Sequence, residues 1–164
     1  MKNIHEPEFC TFVNFRQPPV RNAIAVIKGS PDFSLIRGTV YFSRTPGGTQ
    51  VIVRITGLPS FRPASGGRPQ IGPHGFHIHA GRSCNNPDGH WNPGNEPHGN
   101  HAGDFPVLFS NHGNAQMSFI TDRFIPGSII GRTVVIHLSP DDYRTQPSGA
   151  SGPVIACGEI RAAR

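Results

Sequence analysis

The sequence predicts an all-β fold, a Greek-key sandwich or barrel, on three observations. The apolar segments are short and rich in β-branched and aromatic residues. They are separated by stretches full of glycine and proline, which number 20 and 17 in 164 residues. No segment carries the 3.6-residue period of a long amphipathic helix, and no internal repeat is present. Many short strands joined by long connections call for a Greek-key arrangement. The length suits one domain with a core of its own.

The series of strands opens with "AIAVIKG" at 23–29 and "IRGTVYFS" at 36–43. In "TQVIVRITGLP" at 49–59, Val51, Val53 and Ile55 alternate with Ile52, Arg54 and Thr56, the period of a half-buried strand. "RTPGGTQ" between the second and third segments reads as a turn, so those two form a hairpin. Residues 60–73 are a loop rich in proline, glycine and arginine. Further strands follow at 75–79, "NAQMSFIT" at 114–121, "RTVVIHL" at 132–138 and "VIACGEI" at 154–160. Near the start, Phe9, Phe12 and Phe15 at spacing three fit one side of a short helix, which Pro7, Pro18 and Pro19 confine to about two turns. That segment is read as an arm packed on the barrel or on a partner subunit. Residues 1–22 are thus an N-terminal extension and 23–164 the domain.

The formal charge is +5, but the basic residues, mostly Arg, are scattered and form no run, so nothing supports a nucleic-acid groove. No apolar run approaches the ~20 residues of a membrane span. The start "MKNIHEPEFC" lacks the apolar core of a signal peptide. The expected location is therefore cytoplasmic, or secreted or periplasmic if a leader has been removed. Three cysteines cannot all pair with one another, and one pair plus one free thiol is the simplest arithmetic.

Histidine is the anomaly. Six of the nine, His74, His77, His79, His90, His98 and His101, fall in one window that also carries much of the proline and glycine. On a strand at 75–79, His77 and His79 point to the same face and form a chelating pair, although a lone His-x-His is more often an ordinary surface or hydrogen-bonded pair. In "HWNPGNEPHGNHAGD", His90, His98, His101 and Asp104 sit in a loop whose proline and glycine bend ligands toward one point. Three imidazoles and one carboxylate suit tetrahedral Zn(II). His137 closes the apolar "TVVIH". Alone it would be a satisfied core residue; beside the converging others it is a ligand candidate.

"AVIKG", "ITGLP", "GFHIH", "HWNP", "HGNHAGD", "GRTVVIH" and "ACGEI", in that order, resemble the copper/zinc superoxide dismutase family over residues 23–160. The short step from His77 to Cys84 is similar to its bacterial branch. The resemblance implies an eight-stranded flattened Greek-key barrel with long metal-binding and active-site loops. It implies copper held by His77, His79, His90 and His137, and zinc held by His90, His98, His101 and Asp104, with the His90 imidazolate bridging the two. Asp141 is then the outer carboxylate that hydrogen-bonds one copper and one zinc histidine. Cys84 and Cys157 become the family disulfide, which leaves Cys10 free, and His5, His74 and His112 fall outside the scheme. The chemistry agrees: four imidazoles in a flattened arrangement suit Cu(II), and an outer carboxylate fixes the tautomers of ligating histidines.

The match breaks where the family carries an arginine over the copper, three residues before the second disulfide cysteine. That position is Val154, with Pro153 before it. Arg144 is the only basic residue between His137 and Cys157, and it, or Arg62 or Arg68 in "SFRPASGGRPQ", is a candidate substitute. The implied activity is dismutation of the superoxide anion to dioxygen and hydrogen peroxide by a Cu(II)/Cu(I) cycle, with His90 handing over a proton. Losing one positioned cation should weaken anion capture by roughly ten- to a hundredfold. The alternative is a non-catalytic copper/zinc-binding protein serving metal storage, delivery or structure. A homodimer is compatible with either reading.

Overall fold

The computed structural model describes residues 20–163. The phenylalanine-bearing arm, His5 and Cys10 lie outside the described residues. Seven strands form one curled antiparallel sheet: β1 (Asn22–Gly29), β2 (Arg37–Thr45), β3 (Gly48–Thr56), β4 (Phe76–His79), β5 (Ala115–Thr121), β6 (Thr133–His137) and β7 (Val154–Ala162). Their spatial order is β4-β6-β7-β1-β2-β3-β5. The chain crosses from β3 to the far edge at β4 over residues 57–75 and returns to β5 over 80–114, the long connections of a Greek key. Among the described residues, no helix is long and apolar enough to cross a membrane.

Each segment read as a strand is one, with ends shifted by a few residues. The turn in "RTPGGTQ" reduces to Pro46 and Gly47, and β2 and β3 pair from Thr45↔Gly48 to Arg37↔Thr56. The arginine-rich loop that follows holds a small hairpin of its own. Arg62 bridges Ile71 and Ser65 bridges Arg68 around Gly66 and Gly67, whose φ values of +57° and +75° suit the primed turns of tight hairpins.

The resemblance implies eight strands, and the eighth place is filled differently. Residues 104–111 run from the free edge of β4 toward β5. Leu108 pairs with His74, just before β4, and Asn111 pairs with Asn114 in the turn that leads into β5. Pro106 has no N–H to give, and isolated bridges replace a ladder.

The core follows the period of two. Ala23, Ala25 and Ile27 of β1, Val40 and Phe42 of β2, and Val51, Val53 and Ile55 of β3 are all buried, while Val26 between them is 56% exposed. Phe76, Phe105 and Trp91 extend this core toward β4, and Arg132 lies 4.9 Å over the Trp91 ring. In β4 and β6 the pattern changes: every residue of "FHIH" and "TVVIH" is buried. Their inner face meets the core; on the outer side His77 meets Asp141, His79 the Asp88 carbonyl and His137 the Gly152 carbonyl. Cys84 and Cys157 form a disulfide, Cα–Cα 5.7 Å, which ties the connection at 80–114 to β7 across 73 residues of sequence. Such a closure stabilises by about 2–4 kcal/mol, mainly by restricting the unfolded chain.

Candidate metal centre

Strand β4 turns Phe76 and Ile78 into the core and His77 and His79 outward, so two imidazoles stand side by side on one face. Isolated bridges lay the connection at 80–114 along them: His77 opposes Asp104 and His79 opposes His90. Ile78 N–H donates to the Gly103 carbonyl and Trp91 N–H to the Ile78 carbonyl, at 2.9 and 2.8 Å. A Cβ at Gly103 would overlap the Ile78 carbonyl, so this close approach needs glycine. At the end of β6, His137 arrives from the other side, its N–H donating to the Gly75 carbonyl at 2.8 Å.

Two clusters result. His77, His79, His90 and His137 each offer one nitrogen, and these atoms lie within 4.8 Å of one another. His90, His98, His101 and Asp104 do the same with three nitrogens and a carboxylate oxygen. His90 belongs to both. Its Nδ1 lies 2.9 Å from Asp104 Oδ1, while its Nε2 is buried with no protein partner.

Hydrogen bonds to groups outside the clusters fix which nitrogen is bare in His77, His79, His98 and His137; His90 Nδ1 meets Asp104, itself a cluster member, and is not fixed in this way. Carbonyl and carboxylate oxygens only accept, so a ring nitrogen bonded to one carries the hydrogen and leaves the other free. His79 Nδ1–H donates to the Asp88 carbonyl at 2.6 Å and His137 Nδ1–H to the Gly152 carbonyl at 2.9 Å. Their bare Nε2 atoms face each other at 3.3 Å. His77 Nε2–H and His98 Nε2–H donate to the two oxygens of Asp141 at 2.6 and 2.8 Å, which leaves the Nδ1 of each bare and buried. His101 Nδ1 is likewise buried and unpartnered. Lone pairs aimed at one another in a dry site repel unless a cation lies between them. A proton is a poor candidate. Burial, with the neighbouring histidines, pulls His79 down to about 3 and His137 to about 4, and burial lowers His77 and His101 as well.

The carboxylates lean the opposite way. Burial alone would raise Asp141, but the hydrogen bonds from His77, His98 and the Tyr143 N–H outweigh it and hold the group at about 2. Asp104 is lowered too: burial works against it, and the His90 hydrogen bond, the neighbouring His98, the Gly99 N–H at 2.8 Å and His101 together overcome burial. Bare imidazoles and ionised carboxylates are the states that bind metal.

Several expected residues lie outside the clusters. Val154 is half-buried, pairs with His137 at an irregular point of the β6–β7 register, and borders a groove of about 580 Å³ beside Cys84 and Cys157. Arg144 is exposed, and its guanidinium has no hydrogen-bond partner among the described residues. Arg62 and Arg68 lie together on the small hairpin, whose base is tied to the backbone after His137 through Gly72 N–H on the Leu138 carbonyl and Ser139 Oγ on the Gln70 carbonyl. His74 is buried and donates from Nδ1 to the His137 carbonyl at 2.9 Å, so it supports a cluster residue without joining a cluster. His112 is exposed.

Three contacts have no counterpart in the sequence reading. Arg123 donates to the His101 carbonyl at 2.7 Å, Gln146 pairs with the backbone of His98, and Tyr143 joins the Asp141 loop to residues 105–107. Each spans a long separation in sequence, and no spacing rule points to it.

A Greek-key β-sheet whose edge carries two histidine clusters with one residue in common outlines a protein whose histidines could hold two metal ions. The family description "Copper/zinc superoxide dismutase (SODC)" matches residues 36–160. The chain is 34% identical to the superoxide dismutase [Cu-Zn] of Deinococcus radiodurans over 153 residues, covering 77% of this chain and 78% of that protein. It is 35% identical to the superoxide dismutase [Cu-Zn] of Legionella pneumophila over 136 residues, with 76% and 77% covered. The chain belongs to the copper/zinc superoxide dismutase family. Copper and zinc are the metals that the family implies, and the donor sets fit them: four imidazoles for one, three imidazoles and a carboxylate for the other.

Proposed function

We propose that the domain, residues 23–164, is a superoxide dismutase that holds copper through His77 Nδ1 and the Nε2 atoms of His79, His90 and His137, and zinc through the Nδ1 atoms of His90, His98 and His101 with Asp104. Residues 1–22 form an extension to it. The observation that supports this reading is the shared ring: among the described residues His90 alone belongs to both clusters, its Nδ1 beside Asp104 and its Nε2 buried without a protein partner. Bound copper supplies the Cu(II)/Cu(I) couple by which one superoxide is oxidised to dioxygen and a second is reduced to hydrogen peroxide.

The chain's own residues do the rest. Asp141 orients the His77 and His98 rings from outside and keeps their Nδ1 atoms bare. Asp88 and Gly152, through their carbonyls, do the same for the Nε2 atoms of His79 and His137. His90 Nε2, buried and without a protein partner, would be the atom at which the chain holds a proton for the peroxide, and only while that nitrogen is released from copper. Anion guidance is weak. Val154 stands where the family's arginine would be, and the net charge of +5 attracts superoxide only diffusely, in a way that salt screens.

Metal analysis and superoxide consumption on protein loaded with copper and zinc test this, alongside Val154→Arg. The expected result is one copper and one zinc per chain, dismutation above that of free copper, and a second-order rate constant raised roughly tenfold by the new guanidinium. Val154 itself favours a second reading, a metal-binding protein whose turnover is incidental. No dismutation above free copper in the loaded wild type, and no rescue by Val154→Arg, would establish it.

A further inference from the structure

Asp141 lies on a loop, residues 138–153, that belongs to no strand. Its ends are closed on each other by Leu138 N–H on the Pro153 carbonyl and Ser139 N–H on the Ser151 carbonyl, at 2.9 and 3.0 Å. Within it, Asp142 caps a turn by accepting the Arg144 and Thr145 N–H groups. Neither feature places the Asp141 carboxylate between His77 and His98. Two other side chains on the same loop do touch the residues around the zinc-type cluster.

Tyr143 presents its hydroxyl to the backbone just after Asp104, accepting the Val107 N–H at 2.7 Å and donating to the Phe105 carbonyl at 3.1 Å. Its own N–H donates at 2.7 Å to Asp141 Oδ1, the oxygen that also receives His98 Nε2–H. Gly99, beside His98, packs so closely on Tyr143 that a Cβ there would overlap the Tyr143 carbonyl. Gln146 then pairs with both backbone groups of His98: its Oε1 accepts the N–H at 2.9 Å and its Nε2 donates to the carbonyl at 3.4 Å. Over the Asp141–His98 bond sits Gly149, at φ +69°, where a Cβ would overlap Asp141 Oδ1 and lie 2.5 Å from His98 Nε2.

We propose that Tyr143 and Gln146 are positioning residues of the metal centre, a clasp that holds the Asp141 loop at the level where its carboxylate meets both His77 and His98. The proposal rests on the two-metal reading above. The clasp acts through Asp141 and touches neither substrate nor ligand atoms. Loss of an outer-shell partner costs metal affinity roughly ten- to a hundredfold. A clasp that only steadies that partner transmits part of this, about three- to tenfold.

Tyr143→Phe keeps the ring and deletes the hydroxyl, and Gln146→Ala removes the amide at an exposed site. Each is compared with Ile55→Val, a core change on β3, a strand that carries no cluster residue, which should lower stability alone. The readouts are zinc affinity by chelator competition, the visible absorption of cobalt(II) bound in place of zinc, and the melting temperature of metal-stripped protein. Both clasp variants should bind zinc about three- to tenfold more weakly and shift the cobalt band, while Ile55→Val changes only the melting temperature. Wild-type affinity and an unshifted band in both variants would overturn the proposal alone. Should Tyr143→Phe not fold, Gln146→Ala decides by the same readouts. If the wild type itself holds no zinc or cobalt in a four-ligand site, the reading of the centre fails and takes this proposal with it.

Discussion

Strands β3 and β4 alternate in the same way, yet their outward residues meet opposite surroundings. In β3, Val51, Val53 and Ile55 face the core and Arg54 and Thr56 face water. In β4, Phe76 and Ile78 face the core, but the outward His77 and His79 are buried as well, bonded to Asp141 and to the Asp88 carbonyl. The β3 side is held by apolar packing, which needs shape and little direction. The β4 side is held by directed bonds between polar groups, each of which must be matched by a partner or a metal. One sheet thus carries a region that sets stability and a region that sets chemistry. Changes in either should show mainly in its own readout.

The largest effect expected is on the packed side. Ile55→Ala should cost about 2–5 kcal/mol of folding stability through the cavity it leaves, with zinc and copper affinity per folded molecule unchanged. Denaturant unfolding and chelator competition on the same sample measure the two halves of that statement. A fall in metal affinity equal to the fall in stability would break the division.

Asp141→Ala should do the reverse. Removing the carboxylate that receives His77 and His98 should weaken metal binding about ten- to a hundredfold, read by chelator competition. The barrel should keep its far-ultraviolet circular dichroism.

The smallest effect is a pH dependence confined to the polar side. In metal-stripped protein His79 and His137 are held at about 3 and about 4, below the ordinary 6.5 of the unfolded chain. The unfolded state therefore binds protons that the folded state does not, and stability rises with pH between those limits. It is fully present above about 6.5 and is lost as the pH falls toward 4 and 3. One step, from pH 7 to pH 6, should remove about 0.5–1 kcal/mol for each of the two rings. Saturating zinc and copper should raise the melting temperature at both pH values and leave this loss in place, because the unfolded state still takes up the protons; a metal-stripped melting temperature that does not fall from pH 7 to pH 6 would contradict the assignment.

The same contrast decides what could be read from the sequence. The β3 side was legible because period-two alternation in "TQVIVRIT" and the turn in "RTPGGTQ" are local signals whose cause lies within a few residues. The ligand types were legible because His-x-His and the histidine-rich loop are conspicuous in a chain with few other polar clusters. Their division between two metals, and the pairing of Cys84 with Cys157, came from the resemblance, since spacing alone leaves both open. The Tyr143 and Gln146 contacts were illegible. They join positions 36–48 residues apart through backbone groups, and a backbone carbonyl carries no residue identity to read. The eighth strand was implied by the resemblance alone; no segment read as a strand supplied it, and at 104–111 Pro106 lacks the N–H that a ladder needs.

The claim on which the rest depends is that one imidazole serves both metals. It is tested most directly by copper and zinc content in wild type and His90→Ala after equilibration with both ions, with cobalt(II) absorption reporting the zinc-type site. The wild type should hold one of each per chain; the variant should lose affinity for both, because the proposed bridge uses both nitrogens of His90. Full zinc content and an unchanged cobalt spectrum in His90→Ala would contradict the shared ring.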